Sequence, residues 1–290
     1  MYPASFDYYR PKTVAEAVKL LSQNKDAKVL AGGHSLLPQM KLRVTAPSAL
    51  VDIGRIKGLS GIKATKTALK IGALTTHAAV AESDVVKQLC PILAEAAALI
   101  GDVQVRNRGT IGGSLAHADP SADYPTVIVA LGATITATGP KGSRDIPADT
   151  FFKDLFTTAL RPAEVITSVS VPAYGGMQGM GGAYLAHEHP ASSYAVVGVA
   201  ALVGLKNGTC ARVSLVVGGA TVNPVHAAAA EKALTGQAPS EASIAAAADK
   251  VAEAIADPLS DTYASGEYRK HLATVLAGRA LMMAAQRAMG

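Results

Sequence analysis

The sequence predicts an α+β protein built from two domains, and three observations support this. The chain has 290 residues, more than the roughly 100 to 200 of a usual single domain. Hydrophobic residues make up 49% and aromatic residues 4% of it, so its core is built mainly from Ala, Val, Leu and Ile. Residues 175–182 include five glycines, which favours a linker. We therefore expect a first domain at residues 1–175, with subdomains of about 1–55 and 56–175, and a second at 176–290.

The first domain begins with a helix signal. Thr13-Val14-Ala15-Glu16 indicates a capping box, in which the Thr hydroxyl and the Glu carboxylate each bind a free helix-end N–H group. A strand is expected at 28–31 and a helix at 36–43, with Pro38 in the first turn, where its missing N–H is tolerated. Later patterns predict strands at 50–53, 69–72, 133–138 and 166–171, and helices at 85–100 and 122–131.

The second domain is predicted to be a short antiparallel sheet followed by helices. Residues 193–206 and 209–219 have strand patterns and are joined by Asn207-Gly208, a dipeptide that suits a tight hairpin turn. Three alanine-rich helices are expected near 226–235, 240–256 and 266–288.

Composition and termini exclude several classes of protein. No apolar run is long enough to span a membrane, and residues 1–7 lack the basic and apolar regions of a secretory signal, so we expect a cytoplasmic protein. The net charge is +5, but its basic residues are scattered, which argues against nucleic-acid binding. Cys90 and Cys210 are too few for a disulfide framework or a cluster-binding motif.

Two glycine loops are the candidate binding elements. The first is Ala31-Gly32-Gly33-His34-Ser35, where Leu36 begins a helix whose N-terminus carries positive dipole charge. The second, Arg106-Asn107-Arg108-Gly109-Thr110-Ile111-Gly112-Gly113-Ser114, adds two cations and two hydroxyl groups. A pyrophosphate binds where several backbone N–H groups converge and no Cβ blocks its approach. Each loop alone is also typical of an ordinary tight turn.

The residues leave the identity of the nucleotide open at this point. The chain has neither a G-x-G-x-x-G after a strand nor a G-x-x-x-x-G-K-[ST] motif, so neither a Rossmann fingerprint nor a P-loop is present. Asp123 follows the second loop, where a carboxylate can accept hydrogen bonds from ribose or ribityl hydroxyls or cap the next helix.

The two loops together resemble the FAD-binding subunit of molybdenum hydroxylases, such as the medium subunit of aerobic carbon monoxide dehydrogenase and its relatives. The resemblance covers nearly the whole chain. It extends to the segments Ala118-Asp119-Pro120-Ser121-Ala122-Asp123, Leu160-Arg161-Pro162-Ala163-Glu164-Val165-Ile166, Tyr194-Ala195-Val196-Val197-Gly198-Val199-Ala200 and Tyr268-Arg269-Lys270-His271-Leu272.

The resemblance implies a two-part FAD domain of the vanillyl-alcohol-oxidase type, followed by a small α+β domain. It also implies the residues that hold FAD. Phosphate contacts fall on the two glycine loops, the adenine side on Lys28 and Leu30, the ribityl or ribose part on Asp123, and a main-chain contact near the flavin on Leu160. The complete expected set is Lys28, Leu30, Ala31, Gly32, Gly33, His34, Ser35, Leu36, Gly101, Thr110, Ile111, Gly112, Gly113, Ser114, Asp123 and Leu160.

Two positions depart from the family pattern. Ala186 stands where many relatives have a Lys near the flavin, and His226 stands where they often have an Arg. His187 and His189 share one strand face but have no third metal ligand beside them. We assign no catalytic residue and no metal ligand.

The function implied by the resemblance is electron transfer. An iron–sulfur small subunit and a molybdenum large subunit are the expected partners, in a dimer of heterotrimers. The molybdenum cofactor and the [2Fe-2S] clusters are expected on those partners only, because two cysteines cannot ligate one four-cysteine cluster. Two alternatives remain open: a self-sufficient flavoprotein oxidase or reductase of the same fold, and a flavin-free scaffold.

Overall fold

A computed structural model describes residues 1–290. It confirms a mixed architecture of helices and mainly antiparallel sheets in two domains. In the first domain the strands are β1 (Asp7–Tyr9), β2 (Lys28–Leu30), β3 (Ala49–Asp52), β4 (Ile62–Ala64), β5 (Ala68–Gly72), β6 (Thr134–Gly139), β7 (Gly142–Pro147), β8 (Phe152–Asp154), β9 (Thr157–Thr158) and β10 (Val165–Pro172). Its helices are α1 (Val14–Gln23), α2 (Leu36–Lys41), α3 (His77–Glu82), α4 (Asp84–Leu89), α5 (Pro91–Leu99), α6 (Val103–Arg106), α7 (Ile111–His117) and α8 (Asp123–Ala130).

The second domain contains four strands and three helices. The strands are β11 (Met180–Glu188), β12 (Ala195–Lys206), β13 (Thr209–Gly218) and β14 (Val225–His226). The helices are α9 (Ala228–Leu234), α10 (Glu241–Ala248) and α11 (Gly266–Met289). None of the helices in the chain is both long and apolar enough to cross a membrane.

The first domain consists of two packed parts. In the first part, β1 and β2 flank β3 in a small parallel sheet, and α1 packs its buried face, including Ala17 and Leu21, against that sheet. In the second part, an antiparallel sheet of order β4-β5-β10-β6-β7 carries α5, α7 and α8 on one face. The large core between sheet and helices includes Leu69, Ile135 and Tyr124.

The second domain is an antiparallel sheet of order β11-β12-β13-β14 that is covered on both faces. The long helix α11 packs on β11 and β12, and its core includes Leu281 and Val199. The opposite face contributes Tyr184 and Leu202 to the core of the first domain, where α8 lies across β12 and β13. Because both faces are buried, β12 is apolar at nearly every position, as expected for a strand covered on both sides.

Several predicted elements are confirmed. Thr13 caps α1, accepting a hydrogen bond from the Glu16 N–H at 3.1 Å. The hairpin between β12 and β13 turns at Asn207 and Gly208, whose φ angles of 52° and 77° are the left-handed values that such a turn requires.

Other predictions were wrong in detail, each for a local reason. The helix expected at 85–100 is two helices, because Pro91 lacks an N–H group and begins α5 instead of continuing α4. The Glu16 carboxylate accepts from the Lys12 N–H, one residue before the expected cap position. Gly181 and Gly182 lie inside β11 and not in a linker. The helix expected from residue 226 begins only after β14.

Gly181 is required where α11 crosses the sheet. A Cβ atom there would lie 2.1 Å from the Ala284 carbonyl oxygen of α11, so Gly181→Ala should destabilise the fold by about 1 to 3 kcal/mol through overpacking. Gly278→Ala, within α11, is the matched control. Its Cβ would lie 3.6 Å from the Ala248 Cβ, so it should stabilise the helix by up to about 1 kcal/mol. Urea unfolding measures both; shifts of the same sign would contradict this packing.

Candidate functional site

The first glycine loop joins the end of β2 to the start of α2 and presents a row of free backbone donors. None of the N–H groups from Gly32 to Leu36 donates to a backbone carbonyl. Gly33 has a φ of +77°, a conformation that favours glycine. Ser35 precedes α2 and makes no side-chain cap hydrogen bond; its hydroxyl instead lies beside the Tyr194 hydroxyl. The loop therefore leaves several adjacent backbone donors free to bind an anion.

The second glycine loop is anchored more firmly. Thr110 caps α7, and its side-chain oxygen accepts from the Gly113 N–H at 3.1 Å. The N–H groups of Ile111 and Gly112 donate to the carbonyls of Thr75 and Ala73 at 3.0 and 2.9 Å. These two amides are used within the fold, whereas the N–H of Thr110 has no backbone acceptor. The second loop is thus held in place by hydrogen bonds within the fold, and it has fewer free backbone N–H donors than the first.

The structure brings the two loops into direct contact. A Cβ atom on Gly32 would lie 2.1 Å from the Arg108 carbonyl oxygen, and one on Gly113 would lie 3.8 Å from the Ala31 Cβ. Only a glycine fits at position 32, because a side chain there would push the two loops apart. The two segments, distant in sequence, therefore form one continuous backbone surface.

The turn before the second loop uses one of its two arginines. Gly101 has a φ of +52°, and the Arg106 guanidinium donates to the carbonyls of Ile100 and Gly101 at 3.1 and 2.9 Å. Asp102 caps the short helix α6, accepting from the Val105 N–H. Gly101 and Arg106 therefore shape the approach to the loop, while the side chain of Arg108 is exposed.

His77 supports the second loop at Gly109, and no sequence pattern predicted this role. The His77 N–H donates to the Gly109 carbonyl at 3.0 Å, and a Cβ on Gly109 would lie 2.5 Å from His77 Nε2. The imidazole is buried, and its ring centre lies 5.3 Å from that of Tyr124. Burial first, then the charges of His34 and Arg106, lower the pKa of His77 to about 4. His77 is thus a neutral packing partner of the loop at physiological pH.

Asp123 is a buried carboxylic acid at the junction of the two domains. It is 5% exposed and accepts a hydrogen bond from the Tyr184 hydroxyl of β11 at 2.8 Å. Burial raises the pKa of Asp123 to about 7, and the Tyr184 hydrogen bond acts in the opposite direction. A carboxyl group with this pKa is available in both protonation states near neutral pH.

The other predicted site residues lie at the edges of this surface. Lys28 is exposed at the far end of β2, while Leu30 adjoins the loop, its Cδ1 lying 3.2 Å from the Cβ position of Gly33. The exposed His34 ring nitrogen Nδ1 is 3.0 Å from the Gly32 carbonyl oxygen. Leu160 follows β9, and its N–H donates to the Thr158 hydroxyl at 3.2 Å. No backbone hydrogen bond joins Leu160 to the glycine loops.

Tyr194 extends from the second domain towards the first glycine loop. Burial and the Asp119 charge raise its pKa, and the Ser35 hydroxyl opposes that shift.

The aromatic ring of His189 packs on Tyr263, with 4.3 Å between ring centres. His226 Nδ1 lies 2.8 Å from Glu231, which is the main cause of its raised pKa. These two histidines therefore have structural partners in the fold.

This two-domain fold with paired glycine loops is that of the flavoprotein subunits of oxidoreductases. Residues 4–174 match the family described as "FAD binding domain in molybdopterin dehydrogenase", and residues 182–284 match "CO dehydrogenase flavoprotein C-terminal domain". The chain belongs to the FAD-binding medium subunits of the molybdenum hydroxylase family.

Relatives cover this chain almost completely. The carbon monoxide dehydrogenase medium chain of Hydrogenophaga pseudoflava is 40% identical, over 97% of both chains. The 6-hydroxypseudooxynicotine dehydrogenase complex subunit alpha of Paenarthrobacter nicotinovorans is 39% identical, over 99% of this chain and 97% of the relative. A solved carbon monoxide dehydrogenase structure from H. pseudoflava superimposes with a TM-score of 0.95 at 42% identity, covering 99% of each chain.

The buried Asp123 should make the stability of the FAD-free chain depend on pH. Its folded pKa of about 7 exceeds the unfolded value of about 3.9. Its contribution to stability is therefore complete below the unfolded pKa and is lost as pH rises through the folded pKa. Relative to Asp123→Asn, the free energy of unfolding of the wild type should fall by a few kcal/mol between about pH 4 and pH 8. Urea titrations at each pH measure this, and parallel profiles for the two proteins would contradict it.

Proposed function

We propose that this chain is the FAD-binding, electron-transferring subunit of a molybdenum- and iron–sulfur-containing dehydrogenase. In this role it passes electrons from a partner's iron–sulfur clusters, through FAD, to a terminal acceptor. The main observation in support is that the two glycine loops touch at Gly32 and Arg108, next to the free N–H groups of the first loop. FAD, when bound, supplies the reversible electron-accepting chemistry.

The first glycine loop fits a pyrophosphate. The free N–H groups of Gly32 to Leu36 can donate to phosphate oxygens, and the N-terminus of α2 adds positive dipole charge. The Ser35 hydroxyl, which lies beside Tyr194, can turn its proton towards a phosphate oxygen. The second loop would form the opposite side of the pyrophosphate site, with the free N–H of Thr110 and with Gly113, which has no Cβ. These groups bind and orient the cofactor without taking part in bond making.

The remaining predicted contacts belong to the same proposal. Asp123 would accept hydrogen bonds from ribityl or ribose hydroxyls, because its carboxyl group keeps one oxygen beyond the Tyr184 bond. Lys28 and Leu30 would lie on the adenine side, and Leu160 would offer its free carbonyl near the flavin ring. Gly101 shapes the turn that leads to the second loop.

The partners are proposed from the chemistry that this chain lacks. Both of its cysteines are buried, and they are too few to ligate an iron–sulfur cluster. An iron–sulfur small subunit and a molybdenum large subunit would therefore supply the other centres, and we place all three chains in a dimer of heterotrimers. The two relatives act on different compounds by name, carbon monoxide and 6-hydroxypseudooxynicotine. This supports substrate selection on another subunit.

The division at residues 175 and 176 is also part of the proposal. The two family matches end at residue 174 and begin at residue 182, which supports a boundary between them. Tyr174 marks the end of the first domain, where its hydroxyl accepts from the Ile92 N–H. The second domain would contribute Tyr194 to the region beside the first glycine loop.

A charge placed in the first loop tests the proposal. Gly33→Asp adds a carboxylate where the pyrophosphate is expected, and it strains a residue with a φ of +77°. The dissociation constant for FAD should rise at least about 100-fold, a loss of roughly 3 kcal/mol of binding. Flavin fluorescence in a titration of the FAD-free chain measures it.

Gly176→Asp is the matched control, because Gly176 has a φ of +75° and no atom within 4 Å of its Cβ position. It carries the same charge and the same backbone strain outside the loops, so its FAD affinity should equal that of the wild type. Unchanged affinity in Gly33→Asp, or an equal loss in both variants, would remove the support for this placement of the pyrophosphate.

A further inference from the structure

A polar cleft, separate from the glycine loops, lies on the outer face of the five-stranded sheet, away from the helix-covered core. Residues 58–61 cross this face, and together with β4, β5 and β10 they enclose a cleft of about 300 Å³. Leu59 is its one hydrophobic lining residue, and no carboxylate lines it. A cleft of this size holds a small polar ligand.

Two lysines face each other in this cleft without a counter-charge. Lys63 of β4 and Lys70 of β5 are directly paired across the antiparallel strands, a position at which like charges destabilise a sheet. Neither lysine takes part in an ion pair of the fold. A bound anion would attract both ammonium groups and so offset their mutual repulsion.

A nearly buried hydroxyl group supplies a third donor. Ser168 of β10 lines the cleft, is 7% exposed, and its side chain makes no hydrogen bond within the chain. It lies opposite Gly72, which has no side chain of its own. The hydroxyl oxygen is open to the cleft and is not one of the fully buried side-chain atoms that lack a partner. It is therefore available to bond to a ligand in the cleft.

The backbone adds a fourth donor. The Ser60 N–H has no backbone acceptor, and the Ser60 nitrogen lies 3.0 Å from the Cβ position of Gly72. Gly72 is required here, because a Cβ would lie 2.3 Å from the Leu59 carbonyl oxygen. Two ammonium groups, one hydroxyl and one N–H thus line the same small space.

We propose that this cleft is a binding site for the phosphate group of a small phosphorylated compound. Two lysine charges match a phosphate dianion, and the four donors match its several acceptor oxygens. The site is distinct from the glycine loops. Thr75 lies between them, since its side chain bonds to Gly61 on one side and its carbonyl accepts from Ile111 on the other. The proposal does not depend on FAD binding.

Calorimetric titration of the full chain loaded with FAD tests the proposal, with inorganic phosphate and glycerol 1-phosphate as probes at constant ionic strength. Both probes should bind saturably and compete with each other. Lys63→Ala combined with Lys70→Ala should weaken binding at least about tenfold, because charge-assisted hydrogen bonds are lost. Ser168→Ala should weaken it about threefold or more.

Lys206→Ala removes one exposed lysine from the second domain and should leave binding unchanged. Each variant should keep its FAD content, and its melting temperature should not fall, which separates loss of the site from misfolding. Tighter binding of glycerol 1-phosphate identifies a phosphate ester as the ligand, and equal binding of the two probes identifies free phosphate. An absence of saturable binding, or equal weakening by Lys206→Ala, would overturn the proposal.

Discussion

The contact between the two glycine loops is the constraint on which the candidate site depends. At Gly32 the backbone lies so close to Arg108 that no Cβ can be accommodated. Two segments that are distant in sequence therefore form one surface, whose free donors come mostly from the first loop. The second loop is held by hydrogen bonds to Ala73 and Thr75, so the rigid partner positions the more open one. Such a preorganised set of donors is what binding of a pyrophosphate requires.

The second domain completes this arrangement by packing, not by chemistry of its own. Its sheet is buried between α11 and the helices of the first domain, and Tyr184 extends across the boundary to Asp123. A Cβ on Gly198 of β12 would lie 2.3 Å from the Tyr184 hydroxyl oxygen, so the absence of a side chain at Gly198 makes room for this contact. The two domains are thus joined by an interface with an apolar core, in which Tyr184 and Asp123 form a buried polar pair. A domain joined in this way holds Asp123 in a fixed position.

The sequence allowed prediction of the features that depend on local chemistry. Thr13 as a helix cap and Asn207-Gly208 as a hairpin turn follow from residue type and spacing alone. Features that depend on distant partners could not be predicted. Position 32 must be a glycine because the Arg108 backbone lies against it, and His77 packs against Gly109. Neither glycine motif indicates in the sequence which distant residue it will contact. Pro91 is a local signal that permits two outcomes, since a proline begins a helix as readily as it ends one.

Amide NMR on the isotope-labelled full chain, titrated with FAD, tests the joint use of the two loops most directly. If both loops bind FAD, the N–H signals of Gly32 to Leu36 and of Thr110 will shift together, with one saturation curve and one bound FAD per chain. The signals of Ile111 and Gly112 should shift less, because their N–H groups already donate to Thr75 and Ala73. Shifts confined to one loop, or absent from both, would contradict the claim that the loops hold FAD between them.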